Sequence, residues 1–114
     1  MQPDSYEAMA AQLSAIGLNA AQQGPQQLVV SSQSGAVWPN RGNSFWLSFR
    51  DATWYLSTWL PALYKVPGGQ DMVALCRECM SFGSSAMYTV PEHIARQFGL
   101  VRVDDEYERL FPGD

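Results

Sequence analysis

At 114 residues, the chain is long enough to bury a core without disulfide or metal staples and short enough to form a single domain over 1–114. Only 16% of its residues are charged and 12% are aromatic, a balance that folds rather than staying disordered. The net charge is −4 and the basic residues stand singly, which excludes the clustered Lys/Arg footprint of a nucleic-acid binder or of a protein held on an anionic membrane.

The N-terminus, MQPDSYEAMA, has neither a basic start nor an apolar signal segment. No apolar run approaches the ~18 residues of a membrane span. A cytoplasmic location with two reduced cysteines is therefore the expectation.

Asp4-Ser5-Tyr6-Glu7 reads as a capping box, with Asp4 as N-cap and Glu7 reaching back to its amide. Tyr6, Met9, Ala10, Leu13 and Ile16 then recur at helical steps, and Gly17-Leu18 ends the helix with glycine in the left-handed conformation. Asn19 to Pro25 reads as a connector. Gln26 to Ser32 follows as a short strand, and 33–42 as a Gly/Pro/Asn-rich loop pinned by Trp38.

The richest stretch is Asn43 to Val66, with three of the four tryptophans. Asn43–Arg50 and Thr53–Trp59 form the arms of a β-hairpin, dense in aromatic and β-branched residues. Asp51-Ala52 is a poor two-residue turn, since nothing there favours two positive φ angles, and a longer four-residue connection competes with it. With the two-residue turn, Phe49 faces Trp54 and Leu47 faces Leu56, together with Phe45 on the core side. Trp46, Ser48, Arg50, Thr53, Tyr55, Ser57 and Trp59 then take the opposite side. A one-residue slip would exchange one strand's faces.

Ala62 to Val66 suggests a short edge strand before the Pro67-Gly68-Gly69 turn. Asp71 caps a second helix over 72–82, with Met72, Leu75, Cys76 and Cys79 inward and Val73 and Met80 flanking. After Pro91 a short helix carries Ile94, Ala95 and Phe98 inward and repeats the Gly-Leu ending at Gly99-Leu100. Val101–Val103 is a brief extended piece, and Asp105 to Glu108 opens a last helical turn with Tyr107, Leu110 and Phe111 on one side. The sum is an α+β domain: an N-terminal helix, a three- to four-stranded antiparallel meander and C-terminal short helices packed on the sheet. That layout resembles small acidic bacterial proteins that act by binding another protein, such as immunity proteins and secretion chaperones. The resemblance is one of architecture alone, without a shared motif.

Few features point to chemistry. Cys76-Arg77-Glu78-Cys79 is a C-x-x-C, a spacing that serves zinc or thiol redox sites, with His93 as the only histidine able to assist. Its first cysteine lies about a turn inside the predicted helix, away from the N-terminal dipole that lowers a thiol pKa, and both sulfurs fall on the apolar face. Buried structural thiols are the better reading. His93 has no nucleophile in a catalytic context, and Asp104-Asp105-Glu106 fits a helix start better than a cation site. No catalytic residue and no cofactor is expected.

The functional expectation is a small non-catalytic protein that binds another protein, or a second copy of itself, through an aromatic sheet face and an edge strand. Trp46, Tyr55 and Trp59, with Arg50 beside them, are the contact residues, because aromatics and Arg dominate binding hot spots. The competing function is a thiol-redox or zinc protein using Cys76, Cys79 and His93.

Overall fold

The computed structural model of the protein describes residues 2–32, 44–58, 62–82, 89–106 and 109. The chain runs α1 (Tyr6–Ala15), β1 (Leu18–Gln23), β2 (Gln27–Ser32), β3 (Ser44–Arg50), β4 (Thr53–Ser57), β5 (Leu63–Val66), α2 (Met72–Phe82), α3 (Glu92–Phe98) and β6 (Val101–Arg102), followed by a 3-10 turn at Asp104–Glu106. The strands form one six-stranded antiparallel sheet in sequence order. The α+β class and the N-terminal helix, antiparallel sheet and C-terminal helices stand as expected, but the sheet has six strands rather than three or four.

Two strands account for the difference. The connector expected at 19–25 is β1, paired residue for residue with β2 from Leu18↔Ser32 to Gln23↔Gln27. LNAAQQ has no β-branched or aromatic residue, so its strand character comes from pairing with β2 and not from propensity. The second is β6, two residues that pair with β5. The expected edge at 62–66 is thus an interior strand.

One face of the sheet carries Leu28, Val30, Phe45, Leu47, Trp54, Leu56, Tyr64 and Val66, and it forms a single core with Met9 and Leu13 of α1, Met72, Leu75, Cys76 and Cys79 of α2, and Ile94 and Phe98 of α3. The inward residues expected from the alternation are therefore in place, with Phe49 packed partly buried against the cluster. α1 is capped by Ser5 rather than Asp4: the Ser5 hydroxyl accepts from the Ala8 amide at 3.1 Å, which moves the helix start on by one residue and leaves Glu7 outside a capping box. Asp71 caps α2 as expected, accepting from the Ala74 amide at 3.1 Å. Gly17 and Gly99 end their helices at φ +90° and +67°, where a Cβ would be strained. The last helical turn expected around Tyr107, Leu110 and Phe111, and the loop at Trp38, lie outside the described residues.

The β3–β4 connection is the two-residue turn. Asp51 and Ala52 sit at φ 53° and 59°, and Arg50 pairs with Thr53, Phe49 with Trp54 and Leu47 with Leu56. Two non-glycine residues in the left-handed region cost about 1–2 kcal/mol each. The register withstands that cost because the alternative would turn Phe45, Leu47 and Phe49 out of the core, at roughly 1.5–3 kcal/mol for each large side chain.

The N-terminal segment locks this hairpin to the rest. Trp54 is fully buried, and its indole N–H donates to the Pro3 carbonyl at 2.8 Å. The rings of Tyr6 and Phe49 pack on it at 5.6 and 4.7 Å between centroids. The Tyr6 hydroxyl accepts from the Phe49 amide and donates to the Gln26 carbonyl, both at 2.8 Å. Continuing the β2–β3 register beyond Leu28↔Leu47 brings Gln26 opposite Phe49, so the hydroxyl bridges the ladder where the two strands part. Tyr6→Phe leaves that amide and carbonyl facing each other across a gap, and a loss of about 1–2 kcal/mol is expected in denaturant unfolding. If the strands can close the ladder unaided, stability will be unchanged.

Candidate functional site

The outer face of the sheet is covered at one end and half open at the other. Towards β5 and β6, Tyr55 is 5% exposed and packs with Leu63 and Val103 in a small second cluster, while Ser48 and Ser57 are buried beside it. The covering segment is tied down at Asp104. One of its carboxylate oxygens accepts from the Leu63 amide at 2.7 Å and from Arg102 Nε at 2.8 Å, and the other meets the Arg102 guanidinium at 2.7 Å. Arg102 and the Leu63 amide together hold the Asp104 carboxyl below its ordinary range. Within the acidic run at 104–106, Asp104 is thus a structural clasp.

Towards β1 the face opens. The register aligns Ala21, Val29 and Trp46 across three strands, with Ala21 exposed and Val29 and Trp46 half-buried. The Trp46 indole N–H donates to Gln23 Oε1 at 3.3 Å, which fastens the ring towards the edge. Of the expected contact residues, Trp46 lies on this half-open part and Arg50, half-buried, at the hairpin end. Tyr55 is a correction: it is buried under Val103 because β6 and the turn after it fold over that end of the sheet, a contact of high sequence separation that strand alternation does not reveal. Trp59 lies outside the described residues. The three rings therefore do not form one open patch.

Sequence reasoning missed the edge. Among the described residues β1 is the terminal strand, pairing only with β2, and five of its six residues are exposed or half-buried. Natural edges are blunted by charge, proline, shortness or bulges. β6, the opposite edge, is two residues long and carries Arg102. β1 has six residues in unbroken pairing and no charge or proline.

Which backbone groups face outward follows from antiparallel parity. The Phe49 amide points towards β2, so Phe45 and Leu47 bond across to Val30 and Leu28. Val29 and Ser31 of β2 then bond to Ala21 and Asn19, and the N–H and C=O groups of Leu18, Ala20 and Gln22 are left pointing away from the sheet. The two-residue turn, with its bonded Arg50–Thr53 pair, and the bond from the Thr58 amide to the Ala62 carbonyl agree with this parity.

The thiols tell the opposite story. Cys76 and Cys79 are unpaired and buried on the inner face of α2. Burial raises the Cys76 thiol well above its ordinary value and the Cys79 thiol to about 12. A redox or metal-binding thiol needs the reverse shift. His93 is exposed on α3, and among the described residues no three His, Cys, Asp or Glu side chains come together as a metal site. No helix among the described residues is long and apolar enough to cross a membrane. Comparison with protein-family models, with characterised proteins and with solved structures gives no match to this chain.

The buried thiols carry a pH dependence. Their folded pKa values lie above the unfolded value of 9.0, so above that pH the unfolded chain holds fewer protons than the folded one. The thiols' contribution to stability should be level below about pH 9 and fall as pH rises from there towards 12. Cys76→Ser/Cys79→Ser should flatten that fall. Thiol reagents should label the wild type slowly at pH 8 and rapidly once it is unfolded. Fast native labelling would show that the thiols are accessible after all.

Proposed function

We propose that this chain is a non-catalytic protein-binding domain that takes a strand from its partner at β1 and seats the neighbouring side chains on the half-open outer face around Trp46. The observation that carries this reading is β1 itself: a full-length, uncharged terminal strand whose Leu18, Ala20 and Gln22 backbone groups point away from the sheet. Strand addition draws affinity from such groups and specificity from alternate side chains on the adjoining face. Ala21, Val29 and Trp46 offer that face a small apolar row with an aromatic at its inner end. Of the contact set expected from the sequence, Tyr55 leaves as a buried residue, Trp46 stays with Arg50 at the margin, Trp59 lies outside the described residues, and β1 is added.

The thiol and zinc reading has no observation in its favour, since the sulfurs are buried with raised pKa values and, among the described residues, no three His, Cys, Asp or Glu side chains gather as a metal site.

Photocrosslinking tests the proposal directly. A benzophenone amino acid at Asn19 or Ala21, both exposed on β1, should capture one discrete polypeptide in cells making the protein. The same group at Gln97, exposed on α3, should not. Trp46→Ala should lower the yield at Ala21 several-fold while the melting temperature stays within a few degrees. Equal, diffuse capture at all three positions would contradict the reading. Unfolding of Trp46→Ala would assign that ring to the core.

A further inference from the structure

The charges of this chain are segregated. No Asp, Glu, Lys or Arg occurs between Glu7 and Arg41, a stretch that contains nearly all of α1 and the whole of β1 and β2. Among the described residues, β1, β2 and the part of α1 beyond Glu7 therefore present no charge, while the net charge of −4 is carried by other parts of the sequence. The exposed residues of α1 beyond Glu7 are Ala11, Gln12, Ser14 and Ala15, small or uncharged, and they sit on the element packed against β1.

Two acidic copies repel each other in most orientations. Approach through the β1 side keeps the charged surfaces apart and brings neutral backbone to neutral backbone. We infer that the strand accepted at β1 is the β1 of a second copy, joined antiparallel about a two-fold axis into one continuous twelve-stranded sheet, two copies of the six. This inference rests on the reading of β1 as a binding edge and names its occupant.

Backbone parity sets the register. The outward-facing residues are Leu18, Ala20 and Gln22, and a two-fold axis must map this set onto itself through bonded pairs. The solution centred on the strand pairs Ala20 with the partner's Ala20 and Leu18 with the partner's Gln22, making about six backbone hydrogen bonds. The axis then falls at the smallest side chain of the outward set. On the outer face Ala21 comes opposite the partner's Asn19, so no bulky or charged pair meets across the seam.

The same parity supplies a clean test. Gln22 directs its N–H outward and its side chain is exposed, so Gln22→Pro removes donors from the seam without removing one from the β1–β2 ladder. Ala21→Glu leaves the backbone intact and adds two like charges beside the axis. Sedimentation of the full chain from micromolar to millimolar concentration should show a monomer–dimer equilibrium for the wild type. Both variants should raise its dissociation constant at least about tenfold, with melting of the monomer little changed. A wild type that stays monomeric throughout, or a dimer undiminished by both substitutions, overturns the inference. The crosslinked product at Ala21 separates this failure from that of the underlying reading. A product of twice the chain mass supports the second copy, one of another mass keeps the binding edge but gives it another occupant, and no discrete product removes both.

Discussion

Side-chain alternation and backbone parity in this sheet both trace back to the turn at Asp51 and Ala52. Because the turn holds two residues, Phe49 meets Trp54 and Leu47 meets Leu56, and one face of β3 and β4 becomes the core. Antiparallel pairing then transmits the choice outward, strand by strand, until it decides which groups of β1 are left pointing away from the sheet. A one-residue slip would invert the faces and bury Trp46 in place of Phe45 and Leu47. The strained φ angles at the turn are held by that burial and by Tyr6, whose hydroxyl bridges β2 and β3 and whose ring packs on Trp54.

Long-range contacts explain where the outer face closes. β6 is only two residues, but it brings Val103 onto Tyr55 and Leu63, and Asp104 fastens the crossing to the Leu63 amide and to Arg102. That clasp covers the part of the face nearest β5 and blunts one edge of the sheet with charge. Among the described residues nothing comparable is built at β1. A short, charged edge at β6 thus stands opposite a long, uncharged one at β1, and only the second offers a partner strand a full ladder.

The parts of this fold that depend on local patterning were legible in the sequence. The helix over Met72–Phe82, its Asp71 cap, its buried Cys76 and Cys79, the two glycine helix ends and the core residues of the hairpin all follow from spacing and capping chemistry. What was hidden depends on partners far along the chain. LNAAQQ carries no strand signal of its own and becomes a strand only beside β2. Tyr55 looks exposed by alternation and is buried by a segment almost fifty positions later. The Asp51-Ala52 turn looks unfavourable locally and is chosen by the packing on either side. The candidate site shifted accordingly: Tyr55 leaves it for the core of the outer face, and an uncharged edge strand joins Trp46.

The central claim, that β1 presents an open and alternating row of backbone groups to a second copy, is tested most directly by residue-resolved amide exchange. In dilute solution Ala21 and Gln23, whose amides face β2, should exchange slowly, and Ala20 and Gln22 should exchange rapidly. As protein concentration rises, the fast pair should slow towards the other two. Uniform protection of all four amides in dilute solution, or an alternation that persists unchanged at high concentration, would contradict the account.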